Sequence, residues 1–368
     1  MRKAYQYRVS PTKSQQRLLD QVLEECRWLY NETLALRKRA WEEQQATLRL
    51  YETQALLPGW KAARPTLKIV HSQVLQNVQV RVDLALQAFL RRVKAGEQPG
   101  YPRFKGRGRY DSLTYPQYGN GFKVAGGQLD VSKIGRLKVI WHRPIEGRMK
   151  TLTLWRSATG KWFACFSVET EPEPLPSSDS AVGVDVGLAS FATLSNGQKI
   201  ANPCFFRQDE GELARAQQKF SKAVKGTPER AKRRKVVARI HERIAHRRSD
   251  FAHHISRRLV KQFGIIAFEN LNTKGMLQNH SLAKSMADAA WHQLVQYTTS
   301  KAAEAGRRVV LVDPRNTSKR CSRCGRMVEK DLSVRVHQCS VCGLVMDRDE
   351  NAAINILALG LQCLGASP

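Results

Sequence analysis

Three acidic residues interrupt or end apolar segments of the chain. Asp185 lies inside the apolar run 182–186. Glu269 directly follows the run 265–268, and Asp349 precedes an apolar helical pattern. A carboxylate in an apolar strand costs free energy unless it is paired or binds a cation. Carboxylate oxygens brought together suit Mg²⁺ or Mn²⁺, and two such ions can activate a water and stabilise the leaving 3′ oxygen of a phosphodiester. The three acids therefore predict a metal-dependent nuclease site.

Each acid alone also has an ordinary explanation. Asp185 and Glu269 could be acids at strand ends, and Asp349 could be an acid of a first helical turn that the helix dipole stabilises. Asp347 is a rival for the third metal-binding position, although it lies two residues from Asp349 and would face differently on a helix. The order of the surrounding elements and the charge of the chain favour a joint role for Asp185, Glu269 and Asp349.

Four cysteines form a second chemical pattern. Cys321 and Cys324 make one C-x-x-C pair, and Cys339 and Cys342 make another further along the chain. Two such pairs typically bind tetrahedral zinc through their thiolates. A redox or iron–sulfur role is the alternative. We expect a structural zinc ion, because four sulfur ligands leave no open position for chemistry.

The chain is strongly basic. It has 61 Lys and Arg residues against 32 Asp and Glu, which gives a formal net charge of +29 over 368 residues. A charge of this size favours a polyanionic partner, above all a nucleic acid. The sequence has no apolar run of about 18 residues, and its N-terminus lacks the apolar region of a signal peptide. We therefore expect a cytoplasmic protein with no membrane partner.

Two basic segments are candidates for nucleic-acid contact. The first is the loop 100–110, in which cations alternate with aromatic residues. Its candidates are Tyr101, Arg103, Phe104 and Lys105. Arginine and lysine would bind phosphates there, while the aromatic rings could stack on bases. The alternative for this loop is a solvated basic surface.

The second basic segment is a helical pattern between residues 219 and 258. Its apolar residues recur at helical spacing, and Arg239, Arg243 and Arg247, four residues apart, lie off that apolar stripe. The apolar face would pack on the protein while the basic face binds phosphates. A solvated charged face is again the alternative.

The remaining pattern describes the elements that must position these residues. Helical spacing of apolar residues predicts two long helices, one from about residue 11 to 41 and one from 70 to 94. Between residues 122 and 170 the period switches to two, which predicts several strands of a small barrel or sandwich. The proline-rich segment 171–178 predicts a linker and a domain boundary.

Strands and helices alternate after this linker. Short apolar segments predict strands at residues 181–186, 189–194, 198–201, 265–268 and 309–312. Helical patterns predict helices at 211–263, 282–305 and 351–359. With the cysteine segment removed, the order β, β, β, α, β, α, β, α is the connectivity of a ribonuclease-H-like fold. The first and fourth strands are neighbours in that fold, which would bring the three acids together at one end of the sheet.

Several motifs resemble the TnpB (OrfB) family of insertion-sequence proteins, which is similar to the nucleases of type V CRISPR effectors. The strongest are Gly-Val-Asp-Val-Gly at 183–187, Phe-Glu-Asn-Leu at 268–271, the first cysteine pair with its flank at 316–325, and the acidic segment 347–353. Gly-Tyr-Pro-Arg-Phe-Lys at 100–105 and Ala-Arg-Ile-His at 238–241 add to the resemblance. Together these motifs span most of the chain.

The resemblance implies an RNA-guided DNA endonuclease encoded by a transposable element. Its partners would be a noncoding guide RNA and double-stranded target DNA flanked by a short target-adjacent motif, as in other guided nucleases. The protein would act as a monomer in the ribonucleoprotein, without a small-molecule cofactor. It would work in the bacterial or archaeal cytoplasm, on the nucleoid when bound to DNA.

The resemblance also implies a fold class and a domain order. The fold would be α/β with all-β and helical parts. A RuvC-like (ribonuclease-H-like) nuclease domain contains the four-cysteine zinc module, and a wedge-like β-barrel with a helical insert precedes it. The implied bounds are 1–10 for the first barrel strand, 11–99 for the helical recognition lobe, 100–174 for the rest of the barrel, 175–315 for the first part of the nuclease domain, 316–346 for the zinc module and 347–368 for the last nuclease helix.

Site residues follow from the resemblance one by one. Asp185, Glu269 and Asp349 match the catalytic acids, which would hold catalytic Mg²⁺ or Mn²⁺. The four cysteines match the ligands of the structural Zn²⁺. Gln76 and Asn77 match a segment on the helix near the target-adjacent DNA.

Three other functions fit parts of the pattern. A guided DNA-binding repressor without cleavage would need a lost acid, and none of the three is lost. A strand-transfer transposase also uses three acids on this fold, and it would join strands on a target. A sequence-independent junction resolvase would have no need of the large basic N-terminal half.

Overall fold

The computed structural model describes residues 1–272, 280–331 and 333–365. Two compact units make up the chain, Met1–Thr170 and Glu171–Pro368. Each unit buries its own set of apolar residues. Of the helices in the described residues, none combines the length and the apolar composition needed to cross a bilayer.

The first unit contains a seven-stranded antiparallel sheet. Its strands lie in the order β2-β6-β7-β1-β5-β4-β3. Side chains alternate between the two faces, and in β7 the buried ones are Trp162, Ala164, Phe166 and Val168. The period-two pattern between residues 122 and 170 thus corresponds to strands β3 to β7. The strand bounds are β1 (Arg2–Ser10), β2 (Ser112–Tyr115), β3 (Phe122–Ala125), β4 (Gln128–Val131), β5 (Gly135–Ile140), β6 (Arg148–Arg156) and β7 (Trp162–Glu169).

Helices occupy the sequence between β1 and β2. They are α1 (Lys13–Gln44), α2 (Leu50–Ala55), α3 (Leu57–Ala63), a 3₁₀ turn (Pro65–Ile69) and α4 (Ser72–Lys94). A capping box starts α1, because the Thr12 hydroxyl accepts from the Gln15 N–H and the Gln15 side chain accepts from the Thr12 N–H. Arg64 donates two hydrogen bonds to the buried carboxylate of Glu25, which ties the start of the 3₁₀ turn to α1. The apolar faces of α1 and α4 share one core with the sheet.

The second unit contains a five-stranded mixed sheet. Its strands lie in the order β10-β9-β8-β11-β12, where β8 pairs antiparallel with β9 and parallel with β11. The carboxyl ends of β8 and β11 therefore lie at the same edge of the sheet. A separate hairpin of β13 and β14 lies within the cysteine segment. The strand bounds are β8 (Ala181–Val186), β9 (Ser190–Leu194), β10 (Lys199–Ala201), β11 (Ile265–Glu269), β12 (Arg308–Val312), β13 (Val336–Gln338) and β14 (Val345–Asp347).

The helices of this unit differ from the predicted ones in two places. The predicted helix 211–263 is divided, because Gly226 has a φ of 85° and Thr227 caps a new helix that starts with Pro228. The predicted helix 282–305 is also divided, at Ala290, whose φ of 53° is left-handed. The helix bounds are α5 (Phe205–Lys222), α6 (Pro228–Gln262), α7 (His280–Ala289), α8 (Trp291–Glu304) and α9 (Arg348–Cys363).

Two glycines allow α9 to lie close to the sheet. A Cβ at Gly183 of β8 would overlap the carbonyl oxygen of Ala353 and crowd the amide nitrogen of Leu357. A Cβ at Gly360 of α9 would come within 2.6 Å of the Ala267 Cβ on β11. Side chains at either position would push the helix off the strands. The position of α9, and of the acid in its first turn, therefore depends on these glycines.

We predict that Gly183→Ala destabilises the protein and displaces α9. Overpacking of this kind costs about 1–3 kcal/mol, and thermal unfolding measures the loss. Gly211→Ala is the matched control, since a Cβ at this position in α5 meets nothing within 4 Å. That control should be neutral or stabilising by roughly 0.5–1 kcal/mol. Equal unfolding temperatures for Gly183→Ala and the wild type would contradict the close packing of α9.

Candidate metal centre and nucleic-acid contacts

The structure places Asp185 and Glu269 side by side. Phe268 pairs with Val184 in the parallel ladder of β11 and β8, so Glu269 and Asp185 are the next residues along these neighbouring strands. Adjacent strands lie about 4.8 Å apart. Side chains two residues apart share a face of the sheet. Both acids therefore lie on the face that α9 covers, since that face also contains Gly183.

Asp349 reaches the same place from the first turn of α9. Ala353, one turn further along, lies over Gly183. One helical turn rises about 5.4 Å, and two strand residues span about 6.6 Å, so Asp349 lies at the level of Asp185. The predicted convergence of the three acids therefore agrees with the position of each in the fold.

Asp185 lies within the electrostatic influence of the other two acids. Burial, followed by the charges of Glu269 and Asp349, raises the pKa of Asp185 to about 8. Burial also raises the pKa of Glu269, although a 2.5 Å hydrogen bond from the Thr317 hydroxyl opposes this rise. Carboxylates that repel each other in this way are hard oxygen ligands. The donor set fits a divalent metal ion.

The rival acid Asp347 has a different task. Its carboxylate caps α9 by accepting hydrogen bonds from the N–H groups of Asp349 and Glu350. It also accepts a 2.6 Å hydrogen bond from Lys199. Although burial opposes it, the bonds from Lys199 and the backbone lower the pKa of Asp347. Asp347 is therefore engaged as a helix cap, and Asp349 is the acid that faces Asp185.

Two arginines stand beside Asp349. Arg348 donates to Oδ1 of Asp349 from Nε and Nη2, at 3.1 and 2.9 Å. Arg335 lies 3.8 Å from Oδ2 of the same carboxylate. These guanidinium groups offset part of the negative charge of the acid cluster. Sequence reasoning did not assign a role to either arginine, because nothing in the residue pattern shows which way they point.

A basic cavity of about 170 Å³ adjoins this cluster. Lys319, Lys330 and Arg348 line it, together with Asp331 and the amide of Asn316. Arg348 immediately precedes Asp349, so the cavity begins beside the acids. Lys319 also pairs with Glu329 at 2.6 Å and Arg348 with Asp349 at 2.9 Å, so the positive charge of this cavity is partly offset.

The four cysteines lie close enough together to share one metal ion. The sulfur atoms of Cys321, Cys324, Cys339 and Cys342 all lie within 4.8 Å of one another. Two sulfur pairs are 3.5 and 3.6 Å apart. Zinc–sulfur bonds of about 2.3 Å in a tetrahedron separate the sulfurs by about 3.8 Å. The N–H groups of Cys342 and Val341 lower the pKa of Cys339 to about 6, which favours its thiolate form.

Two buried asparagines connect this cluster to the acid site. Asn351 of α9 donates to the Arg320 carbonyl at 2.7 Å and accepts from the Ser322 N–H at 2.9 Å. Asn355, one turn later, donates to the carbonyls of Thr317 and Arg320. Thr317 in turn bonds Glu269. The first cysteine turn is therefore fixed to the helix that bears Asp349.

The connecting residues were absent from the sequence predictions. Asn351, Asn355 and Thr317 carry no charge and belong to no recognised metal pattern. A signal was nevertheless present. Asn351 and Asn355 stand four residues apart, and apart from Asn355 the helix is apolar from residue 352 to 361. Polar groups on a buried face require hydrogen-bond partners.

Some of the predicted nucleic-acid contacts of the first unit are exposed, and others are bound to neighbouring residues of the protein. Gln76 is exposed, whereas the Asn77 side chain accepts a 3.2 Å hydrogen bond from Arg81. In the loop 100–105, Tyr101, Arg103 and Phe104 are exposed. Lys105 is half-buried, and its backbone is bound to Asn31. The structure thus leaves Gln76 and the three loop residues available to a ligand.

The predicted basic face of α6 is partly engaged within the protein. Arg239 is exposed. Arg243 donates to Asp209 at 2.9 Å and also binds Glu212, and Arg247 lies 3.4 Å from Asp209. Two of the three predicted phosphate-binding arginines therefore hold α6 against α5. Contact of these residues with nucleic acid remains a prediction.

Three family models match this chain. The first is described as "Probable transposase" and matches residues 165–280. The second, "Cas12f1-like, TNB domain", matches residues 291–356, which include the cysteine cluster and the first two turns of α9. The third, "Helix-turn-helix domain", matches residues 1–46. In the structure, that last region contains the strand β1 and the single long helix α1.

Curated relatives cover nearly the whole chain. A "Putative RNA-guided DNA endonuclease" of Streptomyces pristinaespiralis is 37% identical over 98% of this chain and 90% of its own. "Putative RNA-guided DNA endonuclease InsQ" of Escherichia coli K12 is 30% identical over 97% of this chain and 92% of its own. Three similar proteins of Acanthamoeba polyphaga mimivirus, each 28% identical, are described as "TnpB-like".

A solved structure shares the fold. The protein of the Cas12f1-sgRNA-target DNA complex superimposes with a TM-score of 0.62 over 94% of this chain and 83% of its own, at 15% identity. This likeness shows a common mixed α/β fold. Identities of 37% and 30% across almost the full length of two relatives establish the family itself. The chain belongs to the TnpB (OrfB) family of insertion-sequence RNA-guided endonucleases, as its motifs predict.

Proposed function

We propose that this protein is an RNA-guided DNA endonuclease encoded by a transposable element, and that Asp185, Glu269 and Asp349 hold its catalytic divalent cations. The observation that carries the proposal is the position of Asp185 at the end of β8, where burial and the charges of Glu269 and Asp349 raise its pKa to about 8. Such repulsion is costly unless cations bind there. Family membership and the charge of +29 support a nucleic-acid substrate.

The residues around the acids fit this chemistry. Mg²⁺ or Mn²⁺ bound there would activate a water and stabilise the leaving 3′ oxygen of the phosphodiester. The Thr317 hydroxyl binds Oε1 of Glu269 and thereby fixes the orientation of that carboxylate. Arg348 keeps Asp349 in place. We further propose that Lys319, Lys330 and Arg348 hold a backbone phosphate of the DNA strand in the basic cavity.

We also propose the domain assignment that the family implies. The sheet order β10-β9-β8-β11-β12 supports a RuvC-like nuclease domain from residue 175, interrupted by the zinc module at 316–346. The seven-stranded antiparallel sheet supports a wedge-like barrel, into which residues 11–99 insert as a helical recognition lobe. The family further suggests a guide RNA, a target-adjacent DNA motif near Gln76 and Asn77, and a monomeric ribonucleoprotein in the cytoplasm.

We predict that Asp185→Asn stops cleavage without weakening RNA or DNA binding. Loss of a metal ligand at such a site removes several kcal/mol of transition-state stabilisation, or at least about 10³-fold in rate. The measurement is cleavage of a plasmid that carries the guide-matched sequence, by protein loaded with its guide RNA in Mg²⁺. Asp250→Asn is the matched control, because the Asp250 side chain is 76% exposed.

Three outcomes separate the alternatives. Undiminished cutting by Asp185→Asn would contradict the metal assignment. Equal cutting after removal of the RNA would favour a junction resolvase. Joining of strands in place of double-strand breaks would favour a transposase.

We predict that Asp185→Asn stabilises the metal-free protein at high pH. The pKa of Asp185 rises from about 3.9 in the unfolded chain to about 8 in the fold. The folded wild type therefore binds an extra proton between these values, and its stability falls as the pH rises from about 4 to 8. The asparagine variant lacks this loss, so its advantage grows over this window and levels off above it.

Thermal unfolding in a chelator checks this prediction. The unfolding temperature should rise by about 2–4 °C for each kcal/mol of repulsion removed. Addition of Mg²⁺ should stabilise the wild type and leave Asp185→Asn nearly unchanged. Equal pH profiles of the two proteins would show that Asp185 is not under repulsion.

We predict that Cys342→Ser removes the zinc ion and lowers cleavage. Each chain should carry one zinc, measured by elemental mass spectrometry, and the variant should lose it because a thiolate ligand is gone. Cleavage should fall with it, since the first cysteine turn is fixed to α9 by Asn351 and Asn355. Cys363→Ser, an exposed cysteine at the end of α9, is the matched control. Full activity of a zinc-free protein would refute this coupling.

A further inference from the structure

An apolar cavity lies between the end of α1 and the C-terminal half of α4, within the first unit. Its volume is about 170 Å³. An engineered protein cavity of roughly 150 Å³ binds benzene, so the space admits one ring system but not a helix. Its lining includes Arg37, Trp41, Leu86, Phe89, Leu90 and Tyr101.

The walls of this cavity expose a large apolar surface. Trp41 is 53% exposed, Leu90 51% and Tyr101 39%. The rings of Phe89 and Tyr101 meet edge to face, with centroids 5.3 Å apart and planes at 72°. Exposed aromatic surface in a concave site marks a binding position. An aromatic ring is a suitable ligand, because ring faces and edges attract one another.

The loop that carries Tyr101 is fixed in place. The Asn31 side chain of α1 accepts from the Lys105 N–H at 2.7 Å and donates to the Lys105 carbonyl at 3.0 Å. Arg27 donates a further 3.0 Å bond to that carbonyl. These bonds hold the loop 100–105 along α1. The cavity is therefore preformed, which reduces the entropic cost of ordering the loop when a ligand binds.

The surroundings of the cavity favour a polyanion. Arg49 and Arg91 directly follow cavity-lining leucines, Arg103 lies two residues after Tyr101, and all three are exposed. The nearby acid Glu42 lies 3.5 Å from Lys38, so its charge is partly offset. An apolar protein partner would gain little from these three arginines. A nucleic acid gains from both, since its phosphates pair with arginines while its bases stack.

We propose that this cavity binds one unstacked base of the guide RNA. The inference rests on the proposed function, because it takes the guide RNA as the ligand. Loops and bulges of RNA present splayed bases that stack on aromatic side chains, whereas bases of the target duplex are paired and stacked. Arg37 is held at the cavity by Asp83 at 2.7 Å, and its remaining N–H groups can donate to a base oxygen or ring nitrogen.

The test compares RNA affinities of full-length proteins. The probe is the RNA that copurifies with the wild type, sequenced and transcribed in vitro, and the salt concentration is held constant. The double variant Trp41→Leu/Tyr101→Leu keeps the cavity apolar but removes its stacking faces. We expect its affinity to be about 5- to 100-fold weaker. Tyr51→Leu is the matched control, because Tyr51 is 82% exposed and does not line the cavity.

A second measurement needs no substitution. Ultraviolet cross-linking of the wild-type protein to this RNA, followed by mass spectrometry, should attach one nucleotide to the peptide that contains Trp41 or Tyr101. The same cross-link should be absent at Tyr51. This result supports the proposal even where the double variant folds poorly.

Four outcomes would overturn the proposal. Equal RNA affinity of the wild type and the double variant, with no cross-link at either residue, would refute it alone. Loss of affinity for target DNA only would assign the cavity to a DNA base. A wild-type dimer that the double variant loses would assign it to a second copy of the chain. A wild-type protein that binds no RNA would contradict the proposed function itself, and the first outcome is thereby distinguishable from it.

Discussion

The close contact of α9 with β8 at Gly183 is the constraint on which the candidate site depends. Because no side chain intervenes, the helix lies directly on the strand, and its first turn reaches the strand's carboxyl end. Asp349 is thereby brought near Asp185, which stands far away in sequence. Parallel pairing of β8 with β11 supplies the second half of the arrangement. One backbone contact and one strand register thus define the position of all three carboxylates.

This arrangement has an electrostatic cost that the surrounding residues reduce only in part. Arg348 and Arg335 lie beside Asp349, and Thr317 donates to Glu269. At Asp185, burial and the acidic neighbours dominate the pKa shift, and the charge of Arg348 is a smaller opposing effect. Asp185 is therefore the carboxylate that a bound cation would stabilise most. A site that functions through bound cations is expected to be under such strain without them.

The sequence predicted the features that follow a regular spacing and those that would be energetically unfavourable without a function. The acids in apolar strands, the two cysteine pairs and the order of strands each follow a local rule, and the structure agrees with the convergence of Asp185 and Glu269. Interruptions at Gly226 and Ala290 were missed, because a single residue of left-handed or positive φ barely alters an apolar periodicity. Pairing of Arg243 with Asp209 was also missed. A basic helical face looks the same in sequence whether it meets a neighbouring helix or a phosphate.

The two predicted metal sites differ in role because they differ in ligand chemistry. Four thiolates suit zinc and saturate it, so the cysteine cluster has no position left for substrate. The carboxylates suit ions that keep water ligands, which hydrolysis requires. Asn351 and Asn355 join the two, since both stand on α9 and both hold the backbone next to Cys321. In the proposed enzyme the zinc module would therefore affect catalysis through the hydrogen bonds by which Asn351 and Asn355 hold α9.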